Sequence, residues 1–231
     1  PDFIDPHCID APWYDPKQVN LEQLRIGYHS DNGLSSPEPA IIASINEVVE
    51  LLEGTGFNVT PGTPNGVEMA SLIMTRLMAA DDQDLLITLL EESRTSEPSS
   101  KIQNNLDRGK IGMTAVEVAQ TINVWHSYQS SMLSYFNDHD LLICPVNAHT
   151  AILHEQQENM LDYSYTMAYN LTGWPSVVIR AGTDETGLPI GIQILAAPFR
   201  EDRCLAMASF LEDKLGSFSL PDIYSGAHSE I

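Results

Sequence analysis

Basic residues are scarce in this 231-residue chain: 11 Lys and Arg stand against 32 Asp and Glu, a net charge of −21. A field of that sign repels phosphate backbones and anionic lipid, which argues against nucleic-acid and membrane-surface partners. Long apolar runs are missing too, and none approaches the ~20 residues of a membrane span. The opening Pro1-Asp-Phe-Ile-Asp-Pro6 has neither the basic nor the apolar region of a secretory leader. Cysteine is sparse: Cys8, Cys144 and Cys204 are odd in number and far apart, which excludes a disulfide framework and fits a reducing cytoplasm. Cytoplasmic residence is therefore expected, with the sequons at Asn58 and Asn170 unglycosylated. The seven histidines are scattered. The closest pair, His149 and His154, is five apart and has no Cys/His cluster beside it, so neither a metal nor a cofactor is expected. GxSxG, P-loop and GxGxxG motifs are absent. The Ser pairs at 35–36, 99–100 and 130–131 lack the glycines that expose a nucleophile.

What is present is an ordinary globular balance, 43% hydrophobic and 19% charged. The dense acidic stretch Asp81-Asp82-Gln83-Asp84 reads as solvated surface. Residues 1–20, rich in Pro and Asp, form an extended lead-in to a single domain. Leu24–Tyr28 is a short strand. Ser36 and Pro37 then start a helix as N-cap and first residue, with Ile41, Ile45, Val48, Val49 and Leu52 as its apolar stripe. Phe57–Thr60 resumes as a strand, and strand–helix–strand at this spacing predicts an α/β fold.

Helices follow over Val67–Met78 and Gln83–Glu92. The polar region 93–113 reads as a loop or a marginal helix. Thr114-Ala-Val-Glu117 is a capping box, and Val118, Ile122, Trp125, Met132 and Phe136 behind it mark the core face of a long helix. Leu141–Cys144 is a continuous apolar strand closed by Pro145, with Cys144 as a buried structural thiol. A helix over Leu161–Leu171 precedes two β-branched runs, Pro175–Arg180 and Ile190–Leu195. They read as a hairpin or as paired central strands, covered on both faces because they do not alternate. Asp202–Leu215 is an amphipathic helix with Leu205, Ala208, Phe210 and Leu211 inward, and 216–231 is an aperiodic tail.

Several of these segments resemble one family. Tyr169-Asn-Leu-Thr-Gly-Trp-Pro-Ser176, Ala181-Gly182, Gly187-Leu-Pro-Ile-Gly-Ile-Gln-Ile194 and Arg200-Glu-Asp202 are similar to the C-terminal block of amidase-signature hydrolases. Asp140–Pro145 is similar to that family's strand leading into a Pro-containing loop. Leu24–Tyr28 with its helix and Gly56–Val59 matches the segment after the signature, which Pro1–Pro6 would follow immediately. The likeness runs from residue 1 to about residue 215. It implies a mixed β-sheet flanked by helices, an α/β/α sandwich lacking its N-terminal half. It also implies cleavage of a small-molecule carboxamide by a Ser-Ser-Lys triad.

In that family the two serines lie in a Gly/Ser-rich signature and the Lys lies upstream of it. Lys17, Lys101, Lys110 and Lys214 stand in no such context, so no catalytic residue is assigned, and the start at Pro1 fits a fragment cut past the signature. The expected contribution is one wall of the substrate cleft. Pro145, Val146 and Asn147 after the Leu141 strand are the first candidates, because loops at strand ends line the ligand crevice of α/β sheets. Thr172, Gly173 and Trp174 are the second. Plain turn chemistry is the alternative for both. The partners implied are the amide substrate and the missing half, with a homo-oligomer also open because truncation uncovers apolar surface. Two other identities stay open: a non-catalytic amidase-like assembly module, and a piece of the amidase subunit of a tRNA-dependent amidotransferase.

Overall fold

The computed structural model describes residues 4–5, 8–107, 112–154, 156 and 159–216. Residues 217–231 of the sequence-predicted tail, 1–3 and 6–7 of the lead-in and 108–111 of the polar region lie outside them, as does Lys110.

One five-stranded mixed sheet organises the chain. Its strands are β1 (Arg25–Tyr28), β2 (Asn58–Pro61), β3 (Leu141–Pro145), β4 (Ser176–Thr183) and β5 (Pro189–Ala196), in the order β2-β1-β3-β5-β4. The first three are parallel, with Ile26 opposite both Val59 and Leu141; β5 and β4 close the sheet in antiparallel register. Side chains alternate across a strand, and β3 uses both faces. Leu141 and Ile143 enter one core with α1 (Pro39–Gly54) and α7 (Glu201–Leu215); Leu142 and Cys144 enter the other with α2 (Ala70–Ala79) and α5 (Ala115–Leu133). A strand buried on both faces needs the continuous apolar run that Leu141–Cys144 supplies.

Helix α1 forms because its apolar positions recur at three- and four-residue steps, and Ile45, Val48 and Leu52 are fully buried. Each contributes about 1.5–3 kcal/mol by leaving water. Helices α3 (Asp84–Glu92), α4 (Ser100–Asp107) and α6 (Ser164–Asn170) complete the described set. The close approach of the 3-10 turn after α5 to β1 requires glycine: a Cβ on Gly27 would lie 1.7 Å from the Tyr135 hydroxyl.

Several sequence expectations are corrected. Helix α1 starts at Pro39 rather than Pro37, with Glu38 at the N-cap, so the second proline of the pair takes the first helical position. In the region 93–113, read as a loop or a marginal helix, α4 forms. On α5 the inward residues are Thr121, Tyr128 and Met132, whereas Ile122 is exposed and Phe136 falls in the following 3-10 turn. On α7, Cys204, Met207, Ala208 and Leu211 are buried, while Leu205 is 39% exposed. The β4–β5 pair is a hairpin, but only β5 is covered on both faces. As the sheet edge, β4 alternates, turning Ile179 inward and leaving Val178 56% exposed. The thiol of Cys144 is buried as expected, and burial pushes its ionisation far up, so it is no nucleophile.

Candidate functional site

From β1 the chain crosses through α1 to β2 on one side, then returns to β3 on the other side of β1. The loops leaving β1 and β3 therefore diverge, and a crevice opens outside their carboxyl ends. A cleft of about 460 Å³ lies there, lined by Glu38, Asn147, His149, Thr150, Asp162 and Tyr163 among others.

At its rim, His149 stands between two carboxylates. The Nδ1 of His149 lies 3.0 Å from Glu38 Oε1, and its Nε2 lies 3.5 Å from Asp162 Oδ2. Glu38 also accepts from the backbone N–H of Thr150 at 3.1 Å and from its hydroxyl at 3.2 Å. The contacts from His149 and then Thr150 hold the Glu38 carboxyl below its ordinary range. Asp162 accepts from the Ser35 hydroxyl and, at 3.3 Å, from the Asn159 N–H. Ser35 thereby ties the β1 loop to the turn before α6.

Beneath the rim lies a buried polar layer. His29, the residue after β1, places Nε2 2.8 Å from the Tyr169 hydroxyl, and its Nδ1 has no hydrogen-bond partner. Burial lowers its pKa from 6.5 to about 4, so the ring is neutral near pH 7. The Tyr165 hydroxyl donates to Ser35 O at 2.7 Å, and the Asn32 amide donates to Ser164 Oγ at 2.8 Å. From β5, the Gln193 amide donates to Pro145 O and to Tyr165 O, both at 2.7 Å, pinning the end of β3 to α6.

The first candidate loop stands at this crevice. Pro145 is buried with its carbonyl held by Gln193, Asn147 lines the cleft, and Val146 lines a smaller adjoining cavity of about 170 Å³ that Asn147 also borders. The second candidate loop is elsewhere. Ser176 pairs with Leu195, which pairs with Leu142, so the turn ahead of β4 sits at the amino end of β3, about 10 Å of strand from Pro145. There Trp174 is buried against Phe136 and Tyr169, Gly173 takes the left-handed φ of 73° that the turn requires, and Thr172 donates to Tyr169 O at 2.6 Å. The structure does not bring the two loops together.

Sequence reasoning missed Glu38 and Asp162. Their pairing with His149 spans 111 and 13 residues, and no local motif marks it. A second concavity, about 480 Å³ and mainly apolar, lies between α2 and α3 and is lined by Met74, Met78, Leu85, Leu89, Met160 and Met167 among others. Among the described residues no group of three or more His, Cys, Asp or Glu is arranged to hold a metal ion, and no helix is long and apolar enough to cross a membrane.

Known proteins resemble this chain in sequence and in fold. The acylamidase of Rhodococcus erythropolis is 22% identical over 229 residues, covering 92% of this chain and 47% of its own length. One chain of the glutamyl-tRNA(Gln) amidotransferase of Methylorubrum extorquens is 38% identical over 64 residues, 28% of this chain and 13% of its own. A solved fatty acid amide hydrolase superposes with a TM-score of 0.73 at 21% identity, over 90% of this chain and 42% of that one. The chain thus spans about half the length or less of the relatives it matches. The family model described as Amidase matches residues 2–205. With a mixed α/β sheet of the same fold and a match over most of its length, this chain belongs to the amidase-signature family.

Proposed function

We propose that this chain completes the sheet and supplies a substrate-cleft wall of an amidase-signature hydrolase that cleaves the C–N bond of a small-molecule carboxamide. The serine nucleophile, the bridging serine and the lysine base lie outside these 231 residues, upstream in the family's order. In the whole enzyme the serine oxygen attacks the carbonyl carbon, the departing nitrogen takes the proton held by the base, and water then releases the acid from the acyl-serine. An unactivated hydroxyl does none of this without a base within hydrogen-bond reach.

The observation that carries this reading is the environment of the lysines. A lysine acts as a base only when burial keeps its amine neutral, and Lys17, Lys101 and Lys214, the lysines among the described residues, are all exposed. The wall itself is supported by the crevice at the ends of β1 and β3, with Pro145, Val146 and Asn147 on it. The apolar groove between α2 and α3 suits the hydrocarbon part of an acyl amide, in keeping with relatives named acylamidase and fatty acid amide hydrolase. Thr172, Gly173 and Trp174, the second candidates for the wall, stand at the other end of β3, where Trp174 packs against Phe136 and Tyr169. The amidotransferase reading draws on the 64-residue match at 38% identity, yet a net charge of −21 argues against an extended tRNA-binding surface on this portion. Nucleic acid, membrane and resident cofactors have no part in the proposal, and the cytoplasm is the compartment it implies.

The test is an assay of the purified 231-residue chain against primary carboxamides and aryl anilides. No hydrolysis above the buffer rate is expected, and the protein expressed from the longer coding sequence should turn over substrate and lose activity with a serine-reactive inhibitor. Turnover by the chain alone, surviving extensive purification and blocked by that inhibitor, overturns the placement of the triad. An inactive longer protein overturns the hydrolase reading in favour of a non-catalytic module.

A further inference from the structure

The small cavity beside the cleft has a composition of its own. It measures about 170 Å³, is mainly apolar, and is lined by Ile41 of α1, Val146 after β3 and Val178 of β4. Asn147, Thr150 and Ala151 line both this cavity and the cleft, so the two spaces adjoin. Gly191 of β5 keeps the cavity open. A Cβ there would lie 3.2 Å from Val178 Cγ1 and 3.5 Å from Val146 Cγ2, so a longer side chain would take up the space between them. Glycine inside a strand packs nothing, and such a position often marks the close approach of a ligand. Val178, 56% exposed, gives the same space an apolar side chain. A polar group stands at the junction. The Oδ1 of Asn147 accepts from the His149 N–H at 3.1 Å, which orients the side chain, and its Nδ2 donates to none of the described residues. Two N–H donors are thus left available where the cavity meets the cleft.

We propose that this cavity is a subsite for a phenyl-sized apolar group, with Asn147 donating to a carbonyl oxygen beside that group on the same ligand. An aromatic carboxamide such as benzamide carries both features. The volume sets the size: an apolar cavity of about 150 Å³ takes up benzene, so about 170 Å³ accommodates one ring and leaves no room for a second fused to it. An extended acyl chain exceeds it and is matched instead by the larger groove between α2 and α3, about 480 Å³. The lining sets the chemistry, because ligand pockets combine apolar walls with a few placed polar groups. The inference rests on the reading that this wall faces substrate, and it adds which group the wall selects.

Binding to the full 231-residue chain tests it without turnover. Benzamide titrated into the isotope-labelled chain should shift the backbone amides of residues 146–151 and 190–191, and acetamide, which lacks the ring, should leave them in place. Gly191→Leu fills the cavity and should weaken benzamide binding about tenfold or more, since the ring is no longer buried. Because a larger residue in β5 also strains the sheet, Ala151→Phe provides the second variant: it blocks the cavity from an exposed loop position and should weaken binding as much, with the β3 amides unmoved. Asn147→Ala should weaken it about fivefold, the scale of one net hydrogen bond. Naphthamide should bind less tightly than benzamide. Benzamide that moves only other amides overturns the subsite, as does acetamide that moves the same ones equally, or an Ala151→Phe chain that binds as the wild type does. The two readings fail separately. A longer protein that hydrolyses benzamide equally well with and without Ala151→Phe rejects the subsite and keeps the hydrolase. Benzamide binding at these residues with an inactive longer protein rejects the hydrolase and keeps the subsite.

Discussion

His29 should make the fold acid-sensitive in a way that one substitution isolates. The ring is buried, its Nδ1 is unpartnered, and burial, only partly offset by Asp31, lowers its pKa from 6.5 to about 4. A depressed histidine pKa means that the unfolded chain takes up the proton first. Stability is then lost as pH falls from the unfolded value of about 6.5 towards the folded value of about 4, and none of this contribution is lost above that window. Going from about pH 7.5 to about pH 4.5, the linkage amounts to about 2.5 kcal/mol, a large fraction of a typical domain's stability. Urea unfolding at the two pH values, on wild type and His29→Gln, gives the measurement. Glutamine still offers Tyr169 a hydrogen bond but does not titrate. Carboxylates such as Glu38 and Asp202 contribute acid sensitivity to both proteins and cancel in the comparison. The wild type should lose about 2.5 kcal/mol more than the variant, and equal losses would refute the buried-neutral assignment.

Two further outcomes follow from close packing and charge. Gly27→Ala should cost about 1–3 kcal/mol by the overpacking rule, because its Cβ would meet the Tyr135 hydroxyl at 1.7 Å; adding Tyr135→Phe should recover part of that, and chemical denaturation of the single and double variants reads both. Asp140 accepts from the N–H and Nε of Arg25 at 3.0 Å and from Arg203 at 2.8 Å. Burial opposes its ionisation, but these donors outweigh it and hold the carboxyl below its ordinary range. The stabilisation is therefore present above the carboxylate range and lost as pH falls through it. Asp140→Asn should cost about 1–2 kcal/mol near pH 7, discounted because Arg25 is half-exposed, and less near pH 3, as thermal melts at the two pH values would show.

The parts of the fold that are legible in the sequence rest on local periodicity. The stripe from Ile41 to Leu52 gives α1, the pair Thr114 and Glu117 gives the start of α5, and the unbroken Leu141–Cys144 run gives a strand between two layers. What escapes is position within the sheet. Val177-Val178-Ile179 reads as a doubly covered strand because all three residues are apolar, yet Val178 faces water from an edge. Periodicity reports what a side chain tolerates; only pairing decides which strand lies outermost. Asn147 at the cleft is legible from strand-end logic, whereas Trp174 is ambiguous because a large aromatic beside a tight turn suits a pocket and a core equally. The placing of His149 between Glu38 and Asp162 was invisible for a simpler reason: a lone histidine and two carboxylates become a unit only after the β1 and β3 ends are brought side by side.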